Sequence, residues 1–137
     1  RGVLELEIAV PGVEQPLLLF ATHLDHRRDD RERRASATAI NELAAKHGDR
    51  PMLLAGDLNA TPDSPVLAEF SKHWQRSNEQ ILPTIPVSKP SRQIDYILLH
   101  PAKLWMAIDT KVLNEPLASD HRPILAELEL SALSTSR

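Results

Sequence analysis

Three strand-sized runs, residues 16–21, 52–55 and 94–99, are apolar on both faces of an extended chain, Asp95 apart. A surface strand alternates apolar and polar residues, whereas a run without alternation belongs in a sheet with a layer on each side. Three such runs therefore demand a layered fold and require cover for both faces of the sheet.

One cover is legible. Residues 29–47 place Ala37, Ile40, Leu43, Ala44 and His47 on one stripe at helical spacing. Asp29 and Asp30 suit the first turn and Gly48 the C′ position. A shorter helix is expected near 64–71, and no second long amphipathic helix is found for the other face. Residues 3–10 alternate, with Leu4, Leu6, Ile8 and Val10 on one side; Glu5 and Glu7 are expected to face solvent. Residues 75–93, with Pro83, Pro86 and Pro90, read as an irregular loop. Further strands are expected at 94–100, 105–113 and 123–130, the second of them peripheral. The order gives an α/β fold with a mixed sheet and helices on one face.

Composition narrows the chemistry. The chain has 137 residues, enough for one domain. It contains no cysteine, so any metal must sit on oxygen or imidazole. The net charge of −3 gives no basic footprint for nucleic acid. No apolar run approaches the ~20 residues of a transmembrane segment, which leaves a soluble protein of open compartment, bacterial cytoplasm or secreted. The chain begins with Arg1 and a strand-like run rather than Met, so the native N-terminus is expected upstream.

The polar residues sit at the ends of the apolar strands, in Thr22-His23-Leu24-Asp25-His26, Gly56-Asp57-Leu58-Asn59, Arg92-Gln93-Ile94-Asp95-Tyr96 and Ser119-Asp120-His121-Arg122-Pro123. Ligand sites of open α/β sheets gather at strand ends. Taken singly, each motif has a plain structural reading. His23 fits a satisfied core histidine, Asp57 and Asn59 an Asx turn, and Asp120-His121 a capping pair. The run from Arg27 to Arg34 mixes both charges and reads as a solvated helix start. Asp95 is harder to account for, because a strand interior disfavours aspartate. Four motifs together, with carboxylates that are costly to bury unless paired or bound to metal, suggest a cation.

THLDH, GDLN, the arginine-preceded IDYIL and SDHRP, in that order, resemble the later motifs of the endonuclease/exonuclease/phosphatase superfamily, and the likeness runs over about residues 1–130. The resemblance implies the C-terminal half of a four-layer α/β/β/α (DNase I-like) domain over 1–130, with 131–137 as a tail. It implies a metal-dependent phosphoester or phosphodiester hydrolase using Mg²⁺, or Mn²⁺ or Ca²⁺. The implied substrate is a phosphodiester in a small molecule, a phospholipid headgroup or a nucleic acid. By position it makes His23 a phosphate contact or general acid. Asp57 and Asn59 become the pair that orients and activates water and steadies the phosphate, with Asp57 also a metal ligand. Asp95 becomes the partner of the final histidine, Asp120 a metal ligand, and His121 that histidine, acting as base or phosphate stabiliser.

The superfamily's early asparagine and its glutamate metal ligand have no counterpart here. The chain is therefore expected to be a fragment that pairs with its missing N-terminal half-domain or self-associates through an uncovered sheet face. A catalytically inactive binding module of the same fold is the alternative. A metallo-β-lactamase-like site would need H-x-H-x-D-H, and a calcineurin-like site a later Gly-Asn-His; neither motif is present.

Overall fold

The computed structural model describes residues 1–131, so all but the first residue of the expected 131–137 tail lies outside the described residues. Strands β1 (Val3–Ile8), β2 (Leu17–His23), β3 (Met52–Asp57), β4 (Gln75–Arg76) and β5 (Asp95–His100) form one sheet in the order β1-β2-β3-β5-β4. Only β2 and β3 run parallel; the other pairs are antiparallel, so the sheet is mixed as expected. Helices α1 (Arg31–Ala45) and α2 (Pro65–Phe70) supply the cover for one face.

The helix-covered face carries the core. Alternate residues of the doubly apolar strands, Leu18 and Phe20, Met52 and Leu54, Tyr96 and Leu98, are buried against Ala37, Ile40 and Ala44 of α1 and Val66, Leu67 and Phe70 of α2. Asn41, on the buried stripe of α1, donates to the carbonyl of Glu69 and accepts from the indole of Trp74, which links the two helices. Such pairing is what makes a buried amide tolerable. The ends follow local rules. Ser64 caps α2 through the amide of Leu67, and Gly48 takes the left-handed φ of 62° just past α1.

Two expectations are amended. Glu5 and Glu7 are exposed as expected, but on the helix side of the sheet. Their partners in register are Phe20 and Leu18, so they point toward the helices. There Glu5 meets His47 at 3.2 Å and Glu7 meets Arg50 at 2.9 Å. The cause is the basic fringe beyond α1, which gives edge-strand carboxylates a polar neighbour on the side that is otherwise core. Leu4, Leu6 and Ile8 are also open, at 58%, 43% and 39% exposure. The second correction concerns the last strands. β6 (Trp105–Val112) and β7 (Ile124–Leu130) do not extend the main sheet; they pair antiparallel as a separate two-stranded sheet. The hydroxyl of Thr110 binds the carbonyl of Ser77, next to β4. The expected loop at 75–93 also holds some order, with the short strand β4 and a bridge between Ile85 and Arg92.

Gly56 sets how closely β2 and β3 approach at their C-terminal ends. Its φ is 148°, and a Cβ there would lie 1.8 Å from the carbonyl oxygen of Thr22. A side chain would have to push one backbone off another. Gly56→Ala is therefore expected to destabilise the fold by on the order of 3 kcal/mol or more, from overpacking and backbone strain together. Urea denaturation checks this, and an unchanged midpoint would show that the two strands can separate freely here.

Candidate active site

Strand register brings three of the expected residues into one row. Parallel pairing sets His23 of β2 opposite Asp57 of β3. Antiparallel pairing sets Asp57 opposite Asp95 at the start of β5. Alternation from the buried Thr22 and Tyr96 turns His23, Asp57 and Asp95 to the face away from the helices. The row is held by cross-links between the loops that leave it: Leu24 N–H donates to Asp57 O and Leu58 N–H to Ile94 O, each at 2.9 Å.

His121 enters from the segment before β7. Its Nδ1 lies 2.9 Å from Asp95 Oδ2, well inside the roughly 6 Å beyond which no direct or water-bridged pairing could hold. A carboxylate only accepts, so this contact puts the proton on Nδ1 and leaves Nε2 as the free nitrogen of the neutral ring. His23 Nε2 is 3.4 Å from Asp57 Oδ2, with the imidazole half-exposed.

Asn59 adopts φ 47°, a left-handed conformation that asparagine tolerates. Its N–H donates to Asp57 Oδ1 at 2.8 Å and its side-chain amide to Leu24 O at 3.0 Å. The Asx turn expected from sequence is thus present, and it also fixes the Asp57 carboxylate.

Asp57, Asp95 and His121 each offer a ligand atom within 4.8 Å of the others, an oxygen and imidazole donor set suited to a divalent cation. Burial first, and then the negative charge of Asp95, push the Asp57 carboxyl above its ordinary range, against the opposing pull of the Asn59 N–H. Charge gathered against its own preference is what a bound cation would relieve. Asp120, expected as a ligand, lies outside this close group. It is exposed on the loop, where its carboxylate meets the Ser119 hydroxyl at 3.3 Å and its carbonyl accepts from Val87 N–H.

A cleft of 290 Å³ opens beside Asp95 and His121, walled by Ala55, Ile97, Arg122 and Ile124. Another hollow, of 140 Å³, lies among Val3, Thr22 and Ile40 on the helix side and shares none of the row's residues.

The model of the Endonuclease/Exonuclease/phosphatase family matches residues 2–121. The chain belongs to the endonuclease/exonuclease/phosphatase family. Solved structures agree with the DNase I-like fold of that family. A functionally unknown conserved protein from Enterococcus faecalis is 30% identical with a TM-score of 0.69, over 86% of this chain and 52% of that one. An endonuclease/exonuclease/phosphatase from Bacteroides vulgatus is 25% identical with a TM-score of 0.71, over 85% and 50%. A mannosyl-6-phosphatase from Bacteroides thetaiotaomicron, 24% identical with a TM-score of 0.71 over 82% and 51%, shares the fold. The chain thus spans about half the length of these solved structures. No curated protein sequence matches it.

Two polar side chains beside this row carried no role from sequence. Thr84 and Gln93 are fully buried around Asp95. Thr84 sits between Pro83 and Ile85 in a proline-rich loop, where nothing in the residue pattern marks it; Gln93 stood within a motif but next to the more conspicuous Asp95.

The raised Asp57 carboxyl gives a pH signature. Its ionisation opposes folding, an opposition absent below the ordinary carboxylate pKa of about 3.9 and fully felt above the raised folded value. Asp57→Asn keeps an oxygen to accept from Asn59 N–H. Without added metal it should melt higher than the unsubstituted chain at pH 7, with the gap closing toward pH 4. A variant that melts lower at pH 7 would contradict the electrostatic account.

Proposed function

We propose that the intact domain is a metal-dependent phosphoester hydrolase, acting on a phosphodiester, and that His23, Asp57, Asn59, Asp95, Asp120 and His121 form its site. The observation that carries this reading is the aligned row His23–Asp57–Asp95 with His121 held on Asp95. A phosphodiester is anionic and resists attack by hydroxide, so a site must offset its charge and orient water. A bound Mg²⁺, Mn²⁺ or Ca²⁺ would lower the charge on the phosphate oxygens, with Asp57 and Asp120 as its ligands in this chain.

The remaining work falls to the chain's own groups. Asp57, fixed by Asn59 N–H, orients the attacking water. His121, fixed in tautomer by Asp95, presents Nε2 to water or to a phosphate oxygen. His23 contacts the phosphate from the other end of the row, and Asn59 supplies the amide donor for developing charge. A mannosyl-6-phosphatase shares the fold at 24% identity, and fold alone does not choose between a sugar phosphate, a phospholipid headgroup and nucleic acid. The net charge of −3 favours the small or lipid phosphodiester over DNA.

We also propose that residues 1–130 are one half of the domain. Two observations support this: the chain spans about half the length of its solved relatives, and the row stands on the rim of the sheet face that the described helices leave open. The four long strands β1, β2, β3 and β5, ~4.8 Å apart and about five residues long at ~3.3 Å, make a face of roughly 300 Å², of which β7 meets only the β5 end. Covering it is worth on the order of 10 kcal/mol at ~25 cal/mol per Å². A second half-domain laid there would both bury Leu4, Leu6 and Ile8 and wall the cleft. The missing counterparts of the family's early asparagine and glutamate favour the reading of this chain alone as a weak or inactive module.

Hydrolysis of an activated phosphodiester with and without Mg²⁺ tests the chemistry in the full-length protein. Asp57→Ala, Asp120→Ala and His121→Ala should each lower turnover by about 10²-fold or more, and Arg28→Ala should leave it near normal. Near-normal turnover in the His121 variant would overturn the assignment.

Light scattering on residues 1–137 alone tests the half-domain. Self-association or aggregation is expected. A monodisperse monomer with full Mg²⁺-dependent activity would contradict it.

A further inference from the structure

Asp95 is held by more than His121. The hydroxyl of Thr84 donates to Asp95 Oδ2 at 2.5 Å, the same oxygen that receives His121 Nδ1. Thr84 is 0% exposed. Its Oγ1 also lies 3.5 Å from the backbone N–H of Ile94, which leaves the hydroxyl proton to point at the carboxylate.

The main chain of Thr84 is tied on both sides. Its N–H donates to Arg92 O at 2.9 Å, three residues before Asp95, and its carbonyl accepts from Arg122 N–H at 2.8 Å, next to His121. One residue thus joins the segments that carry both members of the Asp95–His121 pair.

The loop bearing Thr84 is itself braced from within. Gln93, also 0% exposed, accepts from Leu82 N–H at 2.9 Å and from the amide of Asn78 at 3.2 Å, and its own amide lies 3.3 Å from Asp95 O.

A buried threonine with a satisfied hydroxyl is ordinary core chemistry. Here the geometry adds a specific consequence. The carboxylate torsion of aspartate is broad and roughly two-fold, so a single hydrogen bond from His121 leaves it loosely set. Two donors converging on one oxygen from different segments define it.

We propose that Thr84 is a positioning residue: it fixes the rotation of the Asp95 carboxylate so that His121 keeps its proton on Nδ1 and turns Nε2 toward the substrate. The inference rests on the reading of His121 as a working group of the site, and its test separates the two. Partners behind a working group change activity by roughly 10–100-fold when removed.

The experiment compares Thr84→Val, which keeps shape but loses the donor, with Thr84→Ser, which keeps the donor, in the full-length protein. Two readouts are taken: kinetics on an activated phosphodiester, and the ¹⁵N NMR signature of the His121 ring. The expected result is a fall in kcat of roughly 10–100-fold in Thr84→Val with KM little changed. It comes with loss of the single Nδ1-protonated signature, and Thr84→Ser restores both. Should Thr84→Val fail to fold, Thr84→Cys offers a weaker donor of similar size, with an intermediate effect expected on both readouts.

An unchanged His121 signature in Thr84→Val, whatever happens to melting temperature, would overturn the proposal and leave Thr84 a structural residue. A changed signature with activity indifferent to His121→Ala would keep the positioning role and defeat the hydrolase reading instead.

Discussion

The site depends on the pairing of β2 with β3. It is the one parallel pair in the main sheet, and its register decides that His23 and Asp57 end side by side. The approach is close enough at Gly56 that no other residue fits without moving the Thr22 carbonyl. Given that pair, antiparallel β5 delivers Asp95 to the same row. The loops beyond the row then lock to one another through Leu24, Leu58 and Asn59. A shift of one residue in β3 would turn Asp57 into the helix-packed core and break the arrangement.

The same alignment sets the site's electrostatics. Asp57 and Asp95 are neighbours in register, and the fold keeps both partly out of water. Its compensations are local: Asn59 N–H on Asp57, and Thr84 and His121 on Asp95. They leave Asp57 with a carboxyl that resists ionisation. Gathering charge in this way costs the fold stability, and it is a pattern that clusters at functional sites. Position matters as much as charge. The row faces away from the helices, at the rim of the open sheet face, so the surface that lacks cover and the surface that would receive substrate are continuous.

Much of this was legible in the residues because it follows from periodicity. The doubly apolar runs gave β2, β3 and β5, and the stripe through Ala37, Ile40 and Ala44 gave α1. Aspartate inside an otherwise apolar strand singled out Asp95. What was not legible depends on partners distant in sequence. The alternation of β1 does not say which of its faces meets the helices, and the basic fringe of His47 and Arg50 decided it for Glu5 and Glu7. The alternation of β7 fits any half-covered sheet, and its pairing with β6 alone is a matter of where the chain turns after β5. Asn41 replaced Leu43 on the fully buried stripe of α1 because Trp74 and the Glu69 carbonyl were there to satisfy it. Thr84 acquires its meaning only when residues 84, 95 and 121 meet.

The account stands or falls on whether this row gathers a cation and a phosphate group. The most direct measurement is anomalous diffraction at the manganese edge from crystals of the full-length protein grown with Mn²⁺ and inorganic phosphate. A manganese peak within about 2–2.6 Å of an Asp57 or Asp120 carboxylate oxygen, the span of oxygen ligands to hard divalent cations, is the predicted result, with phosphate in contact with His23 and His121. Manganese bound elsewhere, with the row of His23, Asp57 and Asp95 holding neither ion, would contradict it.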